Sequence, residues 1–208
     1  MLLFGHLGIT LGAAIAAQGI KQFSNTNSTN GHVISTDKSK SGISPRRSKF
    51  TLNNITETLG KHIDIRFLLI GAILPDIIDK PLGLFNIGSG RAISHTLLFL
   101  LIFTLLGLIL YAARKWKRIL VLAAGMLAHL ILDSMWLNPH TLFWPLYGSR
   151  FSEGNPSDWL SRWWSLLIGD PIVLICEAIG FLVIVYFVYF LFKQRKLTVF
   201  LKDGYFTN

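Results

Sequence analysis

Eight ionisable side chains lie inside apolar segments or at their ends: His6, Asp76, Asp79, His95, His129, Asp133, Asp170 and Glu177. Imidazole nitrogen and carboxylate oxygen together suit zinc, manganese or iron. The spacing adds to the types. His129 and Asp133 stand at i, i+4 in "GMLAHLILD", and Asp76 and Asp79 at i, i+3 in "GAILPDIIDKP". On a helix each pair shares one face. An ionised aspartate at the centre of a membrane-crossing helix costs about 3 kcal/mol, so such groups face a bundle interior and find partners. Basic partners at that depth are few, with Lys80 and Arg91 as candidates, and a bound divalent cation would supply the missing charge. His140, seven residues after Asp133, is placed to fold back as a further ligand.

Each residue also has a plainer reading. His6 alone would pass as an interfacial histidine, and Asp76 after Pro75 as a helix start. Asp79 could pair with Lys80 or Arg91, and Asp170 before Pro171 is first an N-cap. For Glu177 a deep ligand, a proton relay and a carboxyl kept neutral by burial all stay open. His32 and His62 read as surface residues. The single cysteine, Cys176, has no partner for an intrachain disulfide.

The elements that must position this set are membrane helices. The chain has 208 residues, of which 51% are hydrophobic and only 15% charged, too few charges for a soluble domain of this size. Five apolar segments stand out, at about 2–20, 67–84, 93–113, 119–137 and 172–192, several of them near the ~20 residues needed to cross a bilayer. The expected fold is all-α: a single membrane domain over 1–208, a multi-pass bundle of about five helices, with the second helix broken by Pro75, Asp76, Asp79 and Pro81. Residues 21–62, rich in Ser, Thr and Asn, read as a flexible basic insertion. A cleaved leader is a weaker reading of the first segment, which lacks a basic start. As a helix, that segment carries Gly5, Gly8 and Gly12 as a stripe for close packing.

The net charge of +9 suggests nucleic acid at first, but the basic residues sort by loop, and no nucleic-acid partner is expected. With the insertion in the cytoplasm, "RKWKR" at 114–118 and "KQRK" at 193–196 fall on the same side. Fifteen of the 20 Lys and Arg are then cytoplasmic, as the positive-inside rule asks. The N-terminus is then outside. Lys and Arg alone fix this topology, yet it brings nearly all the buried acids and histidines to the outer half of the membrane. The outer segment also holds "SDWLSRWWSLL", where Trp159, Leu160, Trp163, Trp164 and Leu167 share a helical face. That is the pattern of a helix lying at headgroup level or packed on the bundle top.

Four stretches carry a family resemblance: "GHLGITLG" at 5–12, "GAILPDIIDKP" at 71–81, "RAISHTLLF" at 91–99 and "GMLAHLILDSMWLNPH" at 125–140. In this order they resemble the LexA-regulated, membrane-bound metal-dependent hydrolases of bacterial and archaeal inner membranes. More distantly, the order His6, Asp76, His95, His129, Asp133, His140 is similar to that of zinc-dependent phospholipase C and the related single-strand nucleases. The resemblance implies a multi-pass inner-membrane protein holding a divalent metal, zinc first and manganese second. Its substrate would be a phosphate ester such as a phospholipid headgroup. Two departures stand out. Gly90 occupies a position where the family often has a second histidine, and the carboxylates are Asp76 and Asp79 in place of D-x-D. One metal held firmly and a second weakly is the expectation.

These lines converge on a hydrolase working through a metal-activated water, its site facing the outer side. His6, Asp76, His95, His129, Asp133 and His140 are the expected ligands. Asp79 is expected as a second-metal ligand or the base that orients the water, and Arg91 as a bidentate phosphate contact. Membrane lipids are the expected partners. A non-enzymatic transporter or metal-binding membrane protein is the alternative, since broken helices and intramembrane acids are transporter features. A polar cluster serving only packing is the remaining one.

Overall fold

The structure, a computed structural model, describes residues 2–29, 63–84, 90–151 and 159–204; the side chains of 18–29, 83, 84, 159, 160, 162 and 163 lie outside the described set. Eight α-helices occur among the described residues: α1 Leu3–Thr29, α2 Ile65–Leu84, α3 Leu97–Arg114, α4 Arg118–Leu132, α5 Pro139–Leu142, α6 Trp159–Gly169, α7 Pro171–Lys193 and α8 Leu197–Asp203. Two 3-10 turns, Ile93–His95 and Met135–Leu137, complete the order, and no strand occurs among the described residues.

Local chemistry sets the helix ends. Thr96 opens α3 by accepting the Phe99 N–H at 3.1 Å, and Lys115 closes it in the left-handed region at φ 57°. Asp170 opens α7, its Oδ1 taking the N–H groups of Ile172 at 2.9 Å and Val173 at 3.4 Å, with Pro171 at the first helical position. The N-cap reading of Asp170 therefore holds.

The boundaries differ from expectation in four places. Helix α2 runs unbroken through Pro75 and Pro81. Each proline costs the ladder one donor, and neighbouring carbonyls of this stretch are satisfied from outside the helix: Ser94 Oγ donates to Pro75 O at 2.8 Å, and His129 Nδ1 lies 2.7 Å from Ala72 O. The third apolar segment opens with the Ile93–His95 turn before α3 begins. Helix α4 stops at Leu132, because Ser134 adopts a left-handed conformation at φ 51° and leaves Asp133 as the C-cap. Helix α1 continues to Thr29, past the expected start of the insertion; the rest of that insertion, 30–62, lies outside the described residues.

Two helices, α3 and α7, are long and apolar enough to cross a membrane. At 1.5 Å rise per residue they reach about 27 and 34 Å, against a hydrocarbon core of about 30 Å. Their outward faces are apolar and exposed, as at Leu101, Ile102 and Ile109 on α3 and Ile175, Leu182 and Tyr186 on α7. The apolar parts of α1 (Leu3–Ala17) and α4 (Arg118–Leu132) are shorter.

Glycine crossings join the inner helices. Gly8 of α1 lies against the Gly180 backbone of α7, and a Cβ on Gly180 would strike Phe4 O and stand 2.9 Å from Gly5 Cα. The expected stripe Gly5, Gly8, Gly12 does pack this way, with Gly12 facing Val183. A second crossing pairs Gly71 of α2 with Gly125 of α4, where either Cβ would collide with the opposite backbone. Backbones this close are the small-residue packing of membrane helices.

The long helices alternate in direction. The start of α1, the end of α2, the turn before α3, the end of α4 and the start of α7 gather at one end of the bundle, around His6, Asp79, His95, His129 and Glu177. At the other end, Leu11, Ile65, Phe187, Leu191 and Phe200 form an apolar core. There Ile65 N–H donates to Gly204 O at 2.9 Å, and Arg66 bridges Asp64 and the Leu201 carbonyl.

Candidate metal centre

Three imidazoles converge between α1, α2 and α4, and each has its Nδ1 tied down. His6 Nδ1 lies 2.7 Å from Leu2 O, and His129 Nδ1 lies 2.7 Å from Ala72 O. A carbonyl only accepts, so both Nδ1 atoms carry a proton. His95 Nδ1 lies 2.7 Å from Asp79 Oδ2. Asp79 accepts besides from the N–H groups of Ala92 at 2.6 Å and Ser94 at 3.2 Å, so it acts as an ionised acceptor and His95 Nδ1 as a donor. These partners assign the tautomer of each neutral ring, and all three Nε2 atoms face inward bare.

What those nitrogens meet is more acceptors. His95 Nε2 and His129 Nε2 are 3.2 Å apart. His6 Nε2 is 3.2 Å from Asp133 Oδ1 but makes no hydrogen bond there. Asp76 Oδ1 lies 3.7 Å from His95 Nε2 and 3.9 Å from His129 Nε2, and Asp133 Oδ2 is 4.0 Å from His95 Nε2. Two triads share His129: His6, His129, Asp133 and Asp76, His95, His129, the ligand atoms of each lying within 4.8 Å of one another. His6, His95, His129 and Asp133 are buried, and Asp76 is half-buried. Lone pairs turned on one another in a buried site repel, and a cation among them removes the repulsion. Three nitrogens and two carboxylate oxygens make a donor set that fits a divalent ion of the zinc type.

The rings are held by their neighbours. His6 and His129 stack with centroids 4.2 Å apart, and His95 meets His129 edge-on at 5.1 Å. Gly90, in the left-handed region at φ 83°, leads the chain into Arg91 and the Ala92–Thr96 turn, of which Ala92, Ser94, His95 and Thr96 are buried. Glycine takes that φ at no steric cost.

Of the expected site residues, His6, Asp76, His95, His129 and Asp133 come together. Asp79 lies behind His95 with both oxygens already accepting hydrogen bonds. Arg91 is beside the cluster, its Nε at 3.0 Å and Nη2 at 2.9 Å from Asp133 Oδ2. His140 is exposed on α5, its Nδ1 3.2 Å from Tyr147 O, and is not brought to the cluster. Helix α6 is present where the tryptophan-rich helix was expected; the side chains of Trp159, Leu160 and Trp163 lie outside the described residues, and Trp164 is exposed.

Two contributions were not foreseen. Ser94 holds the Asp79 carboxylate through its N–H and the α2 backbone through its hydroxyl; nothing in "RAISH" marks it beyond proximity to His95. Glu177, left open above, caps α1 from outside: it accepts the N–H groups of Leu2 at 2.7 Å, Gly5 at 2.9 Å and Phe4 at 3.0 Å. It is a trans N-cap, and sequence spacing cannot reveal a partner more than 170 residues away.

Architecture and site together define the class: an all-helical membrane protein with a buried cluster of histidines and carboxylates at one end of its bundle. A family model described as YdjM inner membrane protein matches residues 1–201, and the chain belongs to that family. An inner-membrane location agrees with the resemblance carried by the four motifs. No curated protein and no solved structure matches the chain.

Proposed function

We propose that this protein is a metal-dependent hydrolase of the inner membrane, acting on a phosphate ester such as a phospholipid headgroup. In this reading the bundle crosses the bilayer five times with its N-terminus outside, and the site opens to the outer side. The observation that carries the reading is the convergence of three inward-facing Nε2 atoms and two carboxylates on one buried point.

His6, His95, His129, Asp76 and Asp133 would hold the ion, zinc first and manganese second. A divalent ion there would supply Lewis acidity, bringing water toward a neutral pKa and polarising a phosphoryl oxygen. Asp79 fixes the tautomer and orientation of His95, as outer carboxylates do for ligating histidines. Arg91 orients Asp133 and keeps donors for an anionic oxygen. The alternating helices and the basic residues 114–118 and 193–196, all at the end away from the site, support the five-crossing arrangement.

The test is the metal content of the detergent-purified protein, wild type against His129→Ala/Asp133→Ala. Stoichiometric metal in the wild type, lost in a variant of unchanged helicity and elution volume, supports the centre. A wild type that stays metal-free after zinc and manganese reconstitution overturns it.

A further inference from the structure

The two carboxylates of the centre are each divided between inside and outside. Asp76 turns Oδ1 toward His95 and His129, while its Oδ2 takes Lys80 Nζ at 2.7 Å. Asp133 turns Oδ1 toward His6, while its Oδ2 takes the Arg91 guanidinium at 2.9 Å. The acids are nearly covered, but the Lys80 side chain is 36% exposed and that of Arg91 is 41% exposed. The two cations therefore stand at the mouth, each one carboxylate away from His95 Nε2. Neither spends its hydrogen-bonding capacity there. An ammonium has three donors and a guanidinium five; among the described residues Lys80 bonds only Asp76, and Arg91 bonds only Asp133, through Nε and Nη2.

Charge and stoichiometry select what can fill such a mouth. With neutral rings, Asp76, Asp79 and Asp133 face Lys80, Arg91 and the charge of the N-terminal ammonium, which also acts on Asp133, and a divalent ion leaves the site positive. The approaching group is an anion. The ion, Lys80 and Arg91 are the positive centres with coordination or donors left to offer it. A terminal phosphate has three non-bridging oxygens, one for each centre. A phosphodiester has two and leaves one cation unanswered.

We propose that Lys80 and Arg91 form, with the ion of the centre, a three-point receptor for a terminal phosphate, so that the substrate class is the phosphomonoester and not the diester. The proposal rests on the metal-dependent hydrolase reading and narrows it. Lys80 is its specificity-determining residue, reaching the mouth from the last turns of α2, where its spacing of four from Asp76 lets it brace a ligand and meet the substrate.

The experiment is calorimetric binding of methyl phosphate and dimethyl phosphate to the zinc-loaded full-length protein, with zinc stoichiometry measured on each sample. Methyl phosphate is expected to bind at least tenfold more tightly. Lys80→Met is expected to lower that affinity about tenfold, to weaken dimethyl phosphate far less, and to be rescued by Lys80→Arg. Equal affinity of the wild type for the two probes overturns the proposal, whether or not Lys80→Met folds. So does loss of zinc in Lys80→Met, which would make Lys80 only a brace for Asp76. A wild type that takes up no zinc overturns the hydrolase reading itself and is recognised by stoichiometry before any phosphate is added.

Discussion

Replacing Glu177 tests whether the cluster depends on how α1 is held. The first N–H groups of any helix have no partner within it, and in α1 three of them, from Leu2, Phe4 and Gly5, donate to the Glu177 carboxylate. The bonds from Leu2 and Gly5 are buried, that from Phe4 partly so. In Glu177→Ala two buried donors are orphaned at about 1–3 kcal/mol each, which gives about 3 kcal/mol of lost stability. The favourable charge at the helix N-terminus is lost as well. Glu177→Gln keeps an oxygen for Leu2 and Gly5 and turns its amide on the Phe4 N–H, so it is expected to cost about half as much. The assay is unfolding by SDS titration in mixed micelles, with zinc affinity read on the same preparations. Because His6 is bonded to Leu2 O, loosening this turn is expected to weaken zinc binding in step with stability. Glu177→Ala within ~0.5 kcal/mol of wild type, or Gln as damaging as Ala, would refute the capping argument.

Two further outcomes follow from other parts of the molecule. Asp79→Asn replaces the acceptor that fixes His95 Nδ1–H, and is expected to lower zinc affinity 10- to 100-fold with helicity unchanged, measured by competition with a chromophoric chelator. At the opposite end, burial pushes the Asp64 carboxyl up, but the hydrogen bonds and charge of Arg66, with Arg118 beyond, outweigh it and hold the pKa below its ordinary value. A carboxyl with a lowered folded pKa contributes stability above its unfolded value near ~3.9 and loses it as pH falls through the folded pKa. Melting of the wild type should therefore decline below about pH 4, and that of Asp64→Asn should lack this component.

The pattern of polar residues in apolar segments pointed to five of the cluster residues because burial of ionisable groups in membrane helices is costly and therefore informative. His129 and Asp133 were legible from their spacing alone, although α4 ends one residue before Asp133: the i, i+4 relation survives because Asp133 N–H still bonds His129 O at 2.9 Å. His140 shows the limit of that logic. Six residues, through the Met135–Leu137 turn to the start of α5, separate it from Asp133, and no periodicity fixes where such a stretch points. Pro75 and Pro81 misled in the other direction: α2 runs on through both, with Ser94 and His129 bonding the Pro75 and Ala72 carbonyls from outside. Gly71 and Gly125 gave no signal as a pair, being single glycines in unrelated stretches, whereas the repeated spacing of Gly5, Gly8 and Gly12 did.

The glycine crossings bring the histidines and carboxylates of separate helices within reach of one another, as a shared ion would need. A histidine side chain reaches little more than half of the about 8–10 Å at which helix axes usually pack. With α2 and α4 in backbone contact at Gly71 and Gly125, His129 comes close enough to hydrogen-bond the α2 backbone at Ala72, and Asp76 lies one turn further along α2. The Gly8–Gly180 crossing does the same for α1, pressing it on α7 while Glu177, three residues before Gly180 on the same face, fixes its end. A bulkier residue at Gly71 or Gly125 would separate α4 from α2, and so His129 from Asp76 and from His95, which α2 holds through Asp79. The glycines and the histidines are thus one device, and the short side chains set the distance at which the long ones can act.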